Sequence, residues 1–152
     1  MREIREDYLI HVESAQESDG DVDSISLMTK GEFAHRGHSY YITYRETEAT
    51  GFAGCATTVK ADENSRKVSM LRFGPISGQL ILEKGLRHIC HYETGQGSLS
   101  LGLAADEIIC DLNEDGGSLH FSYLLDFDGE MLSHNVVDVT VHRAEPSDTV
   151  KS

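Results

Sequence analysis

Hydrophobic and polar residues alternate with a period of two along most of this chain, in segments that end at Gly, Asn or Asp. The clearest segment runs from Leu119 to Phe127, where every second residue is apolar. This alternation places the apolar side chains on one face of a β-strand, whereas the 3.6-residue period of an amphipathic helix is almost absent. The pattern therefore predicts an all-β fold.

Turn residues divide the pattern into about eight to ten strands. They are predicted near residues 8–12, 22–35, 39–47, 53–60, 67–73, 79–83, 86–93, 98–112, 119–127 and 137–141. Gly31 marks a bend or a bulge in the second of these, and Asp106 lies at a bend in the long segment 98–112. Lys84-Gly85 and Asp128-Gly129 are typical of tight hairpin turns.

Strands joined by short turns favour an up-and-down antiparallel β-barrel, because closure removes the exposed edges that an open sheet would present. The 152 residues are enough for one domain with a core of ordinary size. We expect a single barrel domain over residues 1–143 and a flexible C-terminal tail over residues 144–152. A barrel of this size is either filled by side chains or holds one small ligand.

The composition excludes some classes of partner. With 13 basic and 26 acidic residues, the formal charge of −13 repels nucleic acid and anionic membrane surfaces. No segment approaches the roughly 20 apolar residues of a membrane helix. Cys55, Cys90 and Cys110 form no Cys-x-x-Cys pair, which favours reduced thiols and a cytoplasmic location.

Five side chains are candidates for the barrel interior because each lies in register with apolar or small residues of its own strand: Tyr44, Glu46, Arg72, Tyr92 and Thr94. A buried carboxylate needs a partner, and Arg72 offers Glu46 a planar fork of donors. One interpretation is a structural polar network. The other is a pocket in which Arg72 and the tyrosine hydroxyls hold the polar end of a small, partly apolar molecule.

Other motifs support no metal or cofactor. His35 and His38 are three residues apart, as are His88 and His91, so on a strand each pair should point to opposite faces. Residues 111–116 match the first half of a calcium loop, but its twelfth position is Ser122 instead of Glu. The Gly-x-Gly at residues 95–97 precedes a predicted strand where a dinucleotide site needs a helix.

The chain also resembles a known family. The similar residues are Tyr40-x-Ile42-x-Tyr44-x-Glu46, Thr50-Gly51, Thr57-Thr58-Val59, Arg72-x-Gly74 and Tyr92-x-Thr94-x-x-Gly97. Together they resemble the YwiB-like bacterial proteins, a domain-of-unknown-function family, over residues 3–143. The resemblance implies a calycin, or lipocalin-like, β-barrel and brings no established activity or catalytic residue.

Three functions follow as hypotheses. The first is a non-enzymatic barrel that binds a small ligand through the five interior residues. The second is an enzyme that uses Glu46 as a general acid or base in the same cavity. The third is a packed barrel that acts as a homodimeric interaction module through a surface or an edge strand. A hollow interior would favour the first two over the third.

Overall fold

The structure is a computed structural model that describes residues 4–47, 50, 53–75, 77–94 and 97–144, without the side chains of residues 92–94. Its ten strands are β1 (Tyr8–Ser18), β2 (Asp21–Arg36), β3 (Ser39–Arg45), β4 (Ala56–Asp62), β5 (Lys67–Phe73), β6 (Gly78–Glu83), β7 (Arg87–Thr94), β8 (Gly97–Asn113), β9 (Gly116–Phe127) and β10 (Glu130–Arg143). Within those residues there is no helix long or apolar enough to cross a membrane. The predicted tail lies almost wholly outside the described residues.

The strands form one antiparallel sheet in the order β6-β5-β4-β3-β2-β1-β10-β9-β8-β7. Strands that are neighbours in sequence pair with each other, except for β6 and β7. The first and last strands also pair with each other, from Tyr8 opposite Arg143 to Glu17 opposite His134. The sheet curls into a nearly closed barrel whose seam lies between β6 and β7. The predicted all-β, up-and-down barrel is thus confirmed.

The prediction that the strands on either side of Lys84-Gly85 pair as a tight hairpin is wrong. Gly85 makes a turn with a φ of 84°. Among the described residues, the only bridge across this turn joins Glu83, the last residue of β6, to Leu86, which precedes β7. Each strand pairs more extensively on its other side, because β6 forms six residue pairs with β5 and β7 forms eight with β8. The turn therefore lies at the barrel seam, where β6 and β7 separate.

Gly31 permits a close approach inside the barrel. A Cβ at this position would lie 2.2 Å from the carbonyl oxygen of Thr43 and 2.7 Å from Cδ1 of Ile10. The strand passes through Gly31 without a shift of register towards β1 or β3, so no bulge is present here. Gly31 is instead the residue at which β2 begins to pair with β3.

The bend predicted near Asp106 is a β-bulge. Strand β8 runs without a break through this point, and its register against β9 shifts between Ala105 and Glu107. The extra residue turns the Asp106 carboxylate towards two neighbours. It accepts a 2.7 Å hydrogen bond from the Ser122 hydroxyl and lies 3.1 Å from Nε2 of His134.

The side chains that point into the barrel are mostly the apolar ones that the alternating sequence pattern places on one face of each strand. Every strand contributes buried inward side chains, with Phe121, Ile10, Ile42 and Leu119 among the largest that are almost fully buried. At the hairpin between β8 and β9, the Asn113 side-chain oxygen accepts the Asp115 backbone N–H at 2.8 Å. A turn therefore accounts for the calcium-like sequence.

Candidate functional site

Three neighbouring strands bring polar side chains together on the inner face of the barrel. Tyr44 of β3 lies opposite Thr57 of β4, and Thr57 lies opposite Arg72 of β5. Directly opposed residues of antiparallel strands project from the same face of the sheet. Tyr44 is 2% exposed and Thr57 is fully buried, so this polar row lies inside the barrel.

Glu46 follows the end of β3 and faces the same row. Its backbone N–H donates to the Cys55 carbonyl at 2.9 Å, which extends the pairing of β3 and β4 by one step. Its side chain is 4% exposed, and Oε2 lies 3.5 Å from Nη2 of Arg72. The predicted partnership of Glu46 and Arg72 is therefore present. A charge-assisted hydrogen bond is usually about 2.8 Å long, so this ion pair is loose.

Burial controls the protonation of these groups. Removal from water raises the pKa of Glu46, and the positive charge of Arg72 and the Thr57 side chain only partly oppose that rise. Burial, reinforced by the nearby Glu46 charge, raises the pKa of the Tyr44 hydroxyl. Tyr44 therefore remains a neutral hydroxyl, whereas Glu46 can gain a proton more readily than an exposed carboxylate.

The Thr57 hydroxyl contributes to the polarity of the site. Its oxygen is buried and makes no hydrogen bond within standard geometry to any described residue. It nevertheless lies close enough to Glu46 to favour the charged carboxylate.

A cavity of about 270 Å³ opens beside these residues. Its lining residues come from both walls of the barrel and from the β3–β4 connection: Val12, Ser14, Ala15, Gln16, Ile25, Leu27, Tyr44, Glu46, Thr50, Met70, Arg72, Leu80, Tyr123, Asn135, Val136 and Val137. The barrel is thus packed along much of its length and open at the Glu46 end.

The wall opposite Arg72 contains a residue that the sequence analysis did not select. Tyr123 of β9 lines the cavity, and burial raises the pKa of its hydroxyl, with Cys90 adding to the rise and Arg72 opposing it. Its position on the inner face was evident from the alternation of β9. Its proximity to Arg72 was not evident, because β5 and β9 meet only across the closed barrel.

Two of the five selected residues cannot be placed in the site. Tyr92 and Thr94 belong to the backbone of β7, but their side chains lie outside the described residues. Cys90 of the same strand is 7% exposed. Tyr44, Glu46 and Arg72 do meet in one cavity, and a binding role for any of the five stays a prediction.

A second titratable cluster lies at the other end of β3. Glu63 contacts Nε2 of His35 at 3.2 Å and Nδ1 of His38 at 2.9 Å, and His35 also contacts Glu114. The prediction that His35 and His38 point apart is wrong, because His38 lies in the turn between β2 and β3 where strand alternation no longer applies. Among the described residues, no group of three or more His, Cys, Asp or Glu side chains could hold a metal ion.

Comparison with known proteins identifies a family and a solved structure that this barrel resembles. Residues 10–139 match the family described as Domain of unknown function (DUF1934). Over 114 residues the chain is 28% identical to the Uncharacterized beta-barrel protein YwiB of Bacillus subtilis (strain 168), covering 75% of this chain and 78% of that protein. The crystal structure of the ywiB protein from Bacillus subtilis has a TM-score of 0.78 at 23% identity, over 92% of this chain and 93% of that chain. The chain therefore belongs to the DUF1934 family of uncharacterised β-barrel proteins, as its resemblance to the YwiB-like proteins predicted.

Proposed function

We propose that this protein binds a small, partly apolar molecule in the cavity at the Glu46 end of the barrel. The observation that carries this proposal is a cavity of about 270 Å³ that reaches a buried and loose ion pair. Sites for small molecules combine mostly apolar walls with a few convergent polar groups. Here Leu27 and Leu80 contribute to the walls, and Tyr44, Glu46 and Arg72 converge at one end.

The volume and charge of the cavity limit the class of ligand. Its size is near the lower end of the roughly 300–1,000 Å³ typical of ligand pockets, which favours a compact molecule. Glu46 and Arg72 carry opposite charges, so the polar end has little net charge. It suits a neutral head group with both a donor and an acceptor, such as a carboxamide, which can bind Glu46 and the guanidinium together.

The proposal includes a lipocalin-like role in the cytoplasm. Support for the role comes from the position of the cavity inside a barrel, where lipocalin-type proteins hold their ligands. Support for the location comes from Cys55, Cys90 and Cys110, which are thiols in the folded chain.

A pair of variants tests whether this cavity holds the ligand. Met70→Trp should fill the cavity, because Met70 lines it beside Arg72. Leu71→Trp is the matched control, because the adjacent side chain points outward and is 37% exposed. Native mass spectrometry of gently purified protein should detect a noncovalent mass on the wild type and on Leu71→Trp, and lose it on Met70→Trp.

Two outcomes would contradict the proposal. A bound mass that persists on Met70→Trp would place the ligand outside this cavity. A wild-type spectrum without any bound mass, from protein purified without added detergent, would count against a resident ligand. Denaturation of the same sample should release the ligand if the attachment is noncovalent.

A second candidate function is an enzyme that uses Glu46 as a general acid or base. The observation that favours it is the combination of a raised Glu46 pKa with a position at the cavity and a long contact to Arg72. Incubation of the recovered ligand with wild-type protein and with Glu46→Gln separates the two functions. Conversion by the wild type alone would indicate an enzyme, whereas binding without conversion by either protein would indicate a carrier.

A further inference from the structure

Strand β2 has a long edge that no strand covers in the part of the chain that the structure describes. It pairs with β1 from Asp21 to Gly31, but with β3 only from Gly31 to Arg36. Ten residues, Asp21 to Lys30, therefore have β1 on one side and no strand on the other. In a sheet, such an edge presents unpaired backbone N–H and C=O groups that can pair with another chain.

This edge is accessible and largely unprotected. Residues 21–26 and Met28 are exposed, and Val22, Ile25 and Met28 are 63%, 42% and 41% exposed. Edge strands are usually protected by Pro, by bulges or by Lys side chains. Residues 21–30 contain no Pro and only one Lys, at the last position, and their register against β1 is continuous. An edge of this length is an aggregation hazard unless a specific partner covers it.

The edge is self-complementary in one two-fold register. When two copies of β2 run antiparallel with their Ile25 residues opposite each other, Val22 of each copy lies opposite Met28 of the other. Both of these side chains are on the outer face, and both are exposed. Ser24 and Ser26 then lie opposite each other, and no two acidic residues between positions 21 and 29 are opposed.

The charges at the ends of this register are also complementary. Lys30 of one copy lies next to the Asp19-Gly20 turn and Asp21 of the other copy, and the two-fold axis repeats this contact. The whole chain carries a net charge of −13, but the edge itself carries only Asp21, Asp23 and Lys30. This edge is therefore a region where the repulsion between two copies is weak.

We propose that the protein forms a two-fold homodimer by antiparallel pairing of its β2 edges, centred on Ile25. Residue 30 ends the available edge, because β3 begins to pair at Gly31. Ile25 and Leu27 also line the interior cavity, so the second copy would lie beside the mouth of that cavity. The dimer does not depend on ligand binding, since its contacts are backbone groups and exposed side chains.

Charge substitutions test both the dimer and its register. Val22→Lys with Met28→Lys places Lys opposite Lys twice, and we expect the dissociation constant of the dimer to rise at least about tenfold. Val22→Lys with Met28→Glu places Lys opposite Glu twice and should restore dimerisation. The two positions are six residues apart on one strand, about 20 Å, so this complementarity arises only between copies.

Sedimentation velocity across a dilution series measures the assembly, and circular dichroism verifies that each variant keeps its β-structure. Met131→Lys is the control, because Met131 is an equally exposed apolar residue on β10, at 65%. It should dimerise as the wild type does.

The proposal is overturned if the wild type is monomeric throughout, as it would be if this edge binds a peptide of another protein instead. A dimer that the Lys-Lys variant leaves intact, or that the Lys-Glu variant does not restore, overturns it equally.

Discussion

The positions of Glu46 and Arg72 along their strands are enough to predict that the two residues form an ion pair. Glu46 continues an apolar face of β3, and a carboxylate on such a face needs a compensating charge. Arg72 is the cation on the inward face of a nearby strand, and it was identified from the sequence for that reason. The 3.5 Å separation and the cavity beside the pair depend on barrel curvature, which no local pattern encodes.

Arg72→Met should destabilise the fold by about 3 kcal/mol at pH 7, because it leaves a buried carboxylate without its cation. The loss should be smaller at pH 5.5. Burial raises the pKa of Glu46 already, and removal of Arg72 raises it further, so at lower pH the folded state binds a proton and no longer buries a charge. Denaturant titrations at the two pH values measure the difference.

The double variant Arg72→Met with Glu46→Gln is the control for this prediction. It removes both charges, so its free energy of unfolding should be higher than that of Arg72→Met alone and should not depend on pH in the same range. Equal losses of stability in the single and double variants would show that Arg72 acts through packing and not through the charge of Glu46.

At the scale of the element, the alternation of apolar and polar residues predicts where most strands lie. The pairing of each end and turn depends on contacts with neighbouring strands. Strand β5 spans Lys67–Phe73 as predicted, and the long strand β8 keeps the bend expected near Asp106. The separation of β6 from β7 was not predictable, since an Lys-Gly turn is equally compatible with a paired hairpin. The choice depends on how far each strand pairs with its other neighbour.

Gly31→Ala should cost about 2 kcal/mol or more of folding free energy, because the new Cβ would lie 2.2 Å from the Thr43 carbonyl oxygen. Gly78→Ala is the matched control at the start of β6, where a Cβ meets no atom within 4 Å. That variant should stay within about 0.5 kcal/mol of the wild type. Chemical denaturation compares the two, and an unaffected Gly31→Ala would show that β2 can shift away from β3.

At the scale of the whole molecule, histidine–carboxylate contacts recur around the barrel. They involve His11, His35, His38, His88, His120 and His134. Hydrogen bonding to Glu114 raises the pKa of His35. Hydrogen bonding to Asp138 and Glu107 raises the pKa of His120 even though burial opposes the rise. His35 and His120 therefore keep their positive charge to a higher pH than an unperturbed histidine does.

We predict that the folded protein is more stable at pH 6 than at pH 8. The raised pKa values of His35 and His120 add stability that is complete below the unfolded value of about 6.5 and is lost as pH rises through the folded value. Hydrogen bonds lower the pKa values of Glu63 and Asp126, so their contribution is present above about pH 4 and is lost in more acidic solution.

Thermal unfolding at pH 6 and pH 8 checks this prediction. His35→Gln and His120→Gln should each reduce the difference in Tm between the two conditions. His142→Gln should preserve it, because His142 is exposed and has no carboxylate contact within the described part of the chain. A wild type with the same Tm at both pH values would contradict the prediction.

The sequence by itself determined the fold class, the barrel, most strand positions and the inward side chains of Tyr44, Glu46 and Arg72. These features depend on local alternation, turn residues and the cost of burying charge, all of which can be evaluated along one chain. Only the tertiary structure decided the position of the seam, the cavity beside Arg72, the approach of Tyr123 and the uncovered edge of β2. These depend on which distant strands meet when the sheet closes, and that geometry arises from the curvature of the whole barrel.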